Sequence, residues 1–444
     1  MRMTRLAPLI AATLFACHAQ AADLLQVYRE ALANDAVFAS ARAALTAGAE
    51  RTPQGLAGLL PSLGVNGSYA RADSSIEIPS INTSRSNGAT LNSYSLSLAQ
   101  PLVRWANWET YQQGKLLTAV SEAQFSQAQQ DLIVRVAQAY FDVLTAQDAL
   151  ASVQAQKVAI TEQLASAKRN FEVGTATITD SQEAQARFDL AEAQEFAAIN
   201  DLEIRRSSLQ QIIGRPAGDL ATLKPGLLLP KPDPERMEPW IDRAETSNFS
   251  VMAQQLSLEV AQREISRNRA GHYPTLDLVA SRNHSTQNGV LAPSLTPSNT
   301  SNTTSVGVQW NMPLFSGFAV TSRVREAIAL EERSRADLEN ARRTAAQNAR
   351  QAFLGINNGL AQVRALQAAE ISSQSALESN RLGYQVGVRI NIDVLNAQQQ
   401  LYVTRRDLAR ARYDTMVNGL KLKAAAGVLR EEDLTQLNML LQSI

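Results

Sequence analysis

The chain has 444 residues, sets 42 Lys and Arg against 42 Asp and Glu, and is 5% aromatic. The even charge argues against a nucleic-acid surface. The length alone suggests two or three domains, but many Ala, Gln and Ser with few aromatics suit long, closely packed helices better than thick globular cores.

The first residues read as a secretory signal: Arg2 and Arg5 form a basic start, Leu6 to Cys17 an apolar run, and Ala19-Gln20-Ala21 a small-x-small cleavage site. A competing signal is Leu14-Phe15-Ala16-Cys17, which resembles a lipoprotein box, although Phe15 is atypical there. Cleavage after Ala21 would remove Cys17, the single Cys, and leave no disulfide. No later stretch approaches the roughly 20 continuous apolar residues of a transmembrane helix.

Asp23 to about Arg51 lacks Pro and spaces Leu24, Val27, Tyr28, Ala31 and Leu32 as a helix does. After Pro61, Leu63, Val65, Gly67 and Tyr69 alternate with polar residues. A second alternating run follows at Tyr94, Leu96 and Leu98 beyond a polar loop, which predicts a strand pair. Trp105 to Asn170 is a Pro-free stretch with helical spacing, for example Leu132, Val136, Ala139 and Val143. At about 1.5 Å per residue such a helix runs roughly 100 Å. Val173-Gly174 then punctuates the chain, and a further helix reaches Gly214.

The same order repeats. An offset of 213 residues carries Leu63 onto Leu276, Ala139-Tyr140 onto Ala352-Phe353, Val173-Gly174 onto Val386-Gly387, Asp180 onto Asp393 and Gly214 onto Gly427. The second copy has alternating runs at Leu276, Leu278 and Ala280 and at Val306, Val308, Trp310 and Met312, then a long Pro-free stretch from Phe318 to Leu382. A period this long means a duplicated unit rather than a solenoid. The expected division is a signal at 1–21, a first repeat at 22–223 with strands about 61–103, a Pro-rich linker at 224–239, a second repeat at 240–436 with strands about 274–315, and a tail at 437–444.

Alternating strands of roughly 10 residues fit an outer-membrane barrel, and equally a soluble sheet covered on one face. In the barrel reading one chain supplies four strands, which cannot close. Each backbone group left open to lipid costs several kcal/mol, so two, three or four chains would share a barrel.

Asp23-Leu-Leu-Gln-Val-Tyr28, Ala139-Tyr140-Phe141-Asp142-Val143-Leu144, Phe171-Glu-Val-Gly174 with Ile178-Thr179-Asp180, Gly271-His-Tyr-Pro274-Thr-Leu-Asp-Leu278, and Gly383-Tyr384-Gln-Val-Gly387 with Asp393-Val-Leu395 together resemble TolC-type outer-membrane factors. The resemblance spans nearly the whole chain after the signal. It implies a mainly α fold with a β-barrel portion, a homotrimer sharing a 12-stranded outer-membrane barrel, and a periplasmic helical tunnel. It also implies two partners, a periplasmic adaptor and an inner-membrane transporter, and a role in type I protein secretion or drug efflux, with no cofactor.

By the same resemblance, Tyr384 and Arg389 would face Thr179 and Asp180 and hold the periplasmic entrance shut. Asp393 would belong to an acidic ring around the pore, whose second position here is Asn396. The bland reading of Asp180 and Asp393 is helix capping. No nucleophile, base or metal constellation stands out. His272 reads as a surface residue, and Trp105 and Trp108 as an interfacial girdle or helix anchor. The competing function is a periplasmic adaptor with long helical hairpins, which does not account for duplicated strand pairs.

Overall fold

The computed structural model describes residues 22–78, 83–224, 226–227, 229–289 and 298–442. The expected signal segment, with Cys17, lies outside them. Asp23 caps α1 (Leu24–Asn34), its carboxylate accepting from Gln26 N at 2.7 Å, and Leu24, Val27, Tyr28 and Ala31 are buried as the spacing predicts. The helix expected to run on to Arg51 is instead broken. Buried Asp35 accepts from Phe38 N at 2.6 Å and restarts the chain as α2 (Ala36–Ala49), with α3 (Arg51–Ala57) following. A short carboxylate competes for backbone N–H groups in this way, and apolar spacing does not register it.

The strand pairs are β1 (Ser62–Ile78) with β2 (Thr83–Val103), and β4 (Thr275–Gly289) with β5 (Ser298–Asn311). Antiparallel β2–β4 pairing joins them in the order β1-β2-β4-β5. They are longer than the expected 10 residues because their upper halves are largely polar and break the alternation set by Leu63, Val65 and Tyr69. Register places Leu63, Val65 and Tyr69 on one face with Leu98, Leu96 and Tyr94, then Ala280, Leu278 and Leu276, then Val306, Val308 and Trp310. The opposite face carries Ser68, Ser93, Asp277, Ser281, Asn283, Ser305 and Gln309, with Ser68 to Ser93 at 2.7 Å and Ser281 to Ser305 at 2.9 Å. Leu63, Val65, Tyr69, Val306, Val308 and Trp310 are all exposed.

The long helices are α4 (Trp105–Glu172, 68 residues) and α8 (Ala319–Gln385, 67 residues), within a few residues of expectation. α5 (Ile178–Ile213) and α9 (Asn391–Ala425) follow them. Gly214, at φ 76°, ends α5 in the left-handed region that glycine enters freely. The first repeat ends in β3 (Thr222–Leu223), and the second opens with α6 (Glu238–Ser247), which begins at the end of the linker, and α7 (Phe249–Arg269). The described part of the tail is structured: beyond α10 (Glu431–Asn438), β6 (Leu441–Gln442) pairs with β3.

Two compact units result, and neither coincides with one repeat. One gathers the described residues up to Ala39, Ala128–Ala244 and Ala346–Ile444; the other gathers Ser40–Gln127 and Glu245–Ala345. In the first, the Tyr140 hydroxyl donates to Ala221 O at 2.8 Å and Ala22 O at 3.1 Å, and the Phe141 ring stacks on Tyr413 at 5.5 Å. The Tyr413 hydroxyl donates to Asp148 at 2.8 Å. Burial lifts the Asp148 carboxyl above the usual carboxylate range, opposed by that hydrogen bond and by Arg412.

In the second unit, Arg104 leaves β2 and grips Asp277 of β4 with two prongs, at 2.8 and 2.6 Å. This pair ties the strand pairs together where α4 begins. Trp105, Trp108, Tyr273, Phe315 and Phe318 are all exposed at the strand-to-helix junctions.

Candidate functional site

The site lies at the two helix-turn-helix tips, α4 to α5 and α8 to α9, both within the first unit. The turns are equivalent. Gly174 and Gly387 take φ of 78° and 79°, which removes any steric penalty for the left-handed step. Asn170 O accepts from Thr175 N at 2.8 Å and Ala176 N at 3.2 Å; in the second copy Gly383 O accepts from Val388 N at 2.9 Å and Arg389 N at 3.1 Å. A side chain at Gly383 would meet Arg389 Cγ at 2.7 Å, so glycine there lets Arg389 fold back on its own turn.

The turns differ in how the next helix is capped. In the first, Thr177 Oγ1 accepts from Asp180 N at 3.3 Å, and the Asp180 carboxylate accepts from Thr177 N at 3.0 Å and Thr177 Oγ1 at 2.8 Å. This is a reciprocal capping box. The repeat carries Thr177 onto Ile390, which has no oxygen to offer, and α9 has no side-chain cap. The Asp393 carboxylate is therefore left for Arg389, one turn back at 3.6 Å.

Within one chain the expected gate residues do not meet. Asp180 is held by Thr177, and Thr179 is exposed. The Tyr384 ring packs on the Leu377, Val394 and Leu401 cluster, and its hydroxyl accepts from Asn170 Nδ2 at 3.2 Å. Arg389 reaches Asp393 instead. Asn396, the neutral residue of the expected ring, is exposed and accepts from Arg187 Nη2 at 3.0 Å, while Arg187 Nη1 donates to Gln399 at 2.7 Å.

Besides the Tyr384–Asn170 bond, the two tips are linked by Asn391, absent from the sequence-level expectations. It is fully buried, its Nδ2 donates to Asp180 O at 3.2 Å, and its Oδ1 accepts from Gln163 of α4. The available signal was an amide where the first copy has Ile178. Val173, Val386, Val388 and Ile390 project exposed from the turns. Among the described residues no group of His, Cys, Asp and Glu could hold a metal ion, and no helix is long and apolar enough to cross a membrane.

An exposed apolar sheet face backed by a polar one, with two helical hairpins, defines an outer-membrane channel that extends into the periplasm as helices. The family model described as outer membrane efflux protein matches residues 27–215 and again 240–428, one match per repeat. The proteases secretion protein PrtF of Dickeya chrysanthemi is 35% identical over 433 residues, covering 96% of this chain and 92% of that one. The outer membrane protein TolC of Escherichia coli (strain K12) is 33% identical over 432 residues, covering 96% and 86%. Two solved structures share the fold at lower identity. VceC of Vibrio cholerae matches with a TM-score of 0.75 and 18% identity, covering 91% of this chain and 96% of that one. The CmeC channel of Campylobacter jejuni matches with a TM-score of 0.77 and 17% identity, covering 94% and 90%.

The chain belongs to the outer membrane efflux protein family and is the outer-membrane channel component of a tripartite efflux or secretion system.

Proposed function

We propose that the chain works as a homotrimer whose twelve strands close one barrel in outer-membrane lipid, a passive duct for proteins exported by a type I system. The observation that carries this reading is the four-stranded sheet with an apolar exposed face and two unpaired edges, β1 and β5. Open edges in lipid leave backbone groups unsatisfied at several kcal/mol each, and pairing β1 of one copy with β5 of the next removes them. The secretion role is supported by the protease secretion relative, similar along almost the whole chain.

The partners are an inner-membrane transporter and a periplasmic adaptor. The adaptor would cover Val173, Val386, Val388 and Ile390, apolar side chains exposed at the turns. The entrance is gated by Tyr384 and Arg389 of the second repeat against Thr179 and Asp180 of the first, contacts that would replace the Asp180 bond to Thr177 and the Arg389 pairing with Asp393. Asp393 from each copy forms the acidic ring. The duplicated units run over 22–223 and 240–436, with linker 224–239 and tail 437–444, although the compact units cross them, and the signal 1–21 is removed.

The test is native mass in detergent together with conductance in a planar lipid bilayer. Three copies per particle and discrete channels are expected. A monomeric periplasmic protein without conductance would refute the reading.

A further inference from the structure

We infer that Asn391 is a positioning residue that clasps the α8–α9 hairpin to the α4–α5 hairpin of the same chain and so sets the closed entrance; this rests on the duct reading above. Polar side chains that are fully buried are costly unless every group is paired. Asn391 is 0% exposed, and both ends of its amide are used, Nδ2 on Asp180 O of α5 and Oδ1 on Gln163 of α4. One side chain thus joins three helices at the level of the turns.

The neighbouring residues make this clasp the first of a short seam. Leu395, one turn on, packs with Ile160, Leu164 and Ala184 of α4 and α5. Beyond it, Arg187 of α5 holds Asn396 and Gln399. Val394 faces the other way, with Leu377 of α8. α9 is therefore shared between the two hairpins, and Asn391 holds its first residue two positions before Asp393. The repeat carries Asn391 onto Ile178, which is exposed, so the clasp exists in one direction only.

The chemistry separates this clasp from the ionic contacts beside it. Arg389 and Asp393 are half-exposed, 3.6 Å apart, and open to screening by salt. The Asn391 bonds carry no net charge and are made by a fully buried side chain. Loss of the clasp should therefore raise closed-state conductance to the same degree at low and high salt, whereas loss of Arg389 should matter less at high salt.

The experiment compares wild type, Asn391→Ala, Gln163→Ala, the double variant and Arg389→Ser as assembled protein in planar bilayers, in dilute and in molar KCl. Asn391→Ala is expected to raise closed-state conductance about fivefold at both salts. Gln163→Ala should raise it less, and the double variant no more than Asn391→Ala alone, since both act through one bond. Gln163→Ala, at a half-buried position, carries the test if Asn391→Ala fails to assemble. Wild-type closed conductance in the variants, strictly additive effects, or an effect that fades in molar salt would overturn the clasp and leave the duct standing. Wild type that forms no channel would remove both.

Discussion

At the residue scale, one carboxylate does two jobs depending on its neighbour three positions back. Thr177 draws Asp180 into a capping box, and Ile390 leaves Asp393 for Arg389. The sequence offered gate and cap as alternatives for both; capping is the observed task of Asp180, and α9 carries no side-chain cap. Replacing Tyr384 by Phe and Arg389 by Ser removes the hydroxyl from Asn170 and the guanidinium from Asp393. Because exposed pairs are worth about 0–1 kcal/mol, closed-state conductance should rise by up to roughly fivefold in a bilayer recording. An unchanged closed state would remove both residues from the gate. Asp393→Asn should lower cation preference, read as a shift in reversal potential across a KCl gradient. Asn396→Asp should restore less than one full charge per chain, since Arg187 lies 3.0 Å from that side chain. A gain as large as the Asp393 loss would contradict this.

At the element scale, the long helices were legible because absence of Pro and sustained apolar spacing persist over many turns, and α4 and α8 end within a few residues of expectation. Strand lengths were not, because the upper, largely polar parts of β1 and β2 break the alternation of the lower parts; pairing with the neighbouring strand extends them. The faces of the sheet make an asymmetric prediction. Val65→Lys places a charge on the apolar face and should cost about 2–4 kcal/mol near the bilayer midplane, seen as loss of detergent-resistant oligomer on a gel. Asn66→Lys, one residue along on the polar face, should assemble normally. In the helical unit, the raised Asp148 carboxyl means the folded chain binds its proton more tightly than the unfolded chain does. Stability from this group is full below the ordinary Asp range, about 3.9, and falls as pH rises from there through the folded-state value. Asp148→Asn should flatten that slope in melting curves recorded against pH. An unaltered slope would show that Asp148 is not its source.

At the scale of the whole molecule, duplication and closure are linked. Each repeat supplies one strand pair, β2–β4 pairing joins the two, and β1 and β5 are left as edges that another copy can complete. Intact particles should therefore contain three chains by light scattering, remain in the membrane through carbonate washing, and lose conductance and oligomer together when the edges are disturbed. Particles of one chain that still conduct would contradict shared closure.

The sequence by itself determined the repeat, the long helices and the alternating faces of the strand pairs, because these depend on local periodicity, Pro placement and turn chemistry. It also carried the family, through motifs spread along both copies. Only the tertiary structure decided that the compact units cross the repeats, that β6 of the tail pairs with β3, and that buried Asn391, rather than the charged residues beside it, joins the two tips. Those facts depend on which residues distant in the chain come within hydrogen-bonding distance. Periodicity carries no record of that, because the same amide at the start of a helix satisfies its spacing whether it faces water or another helix.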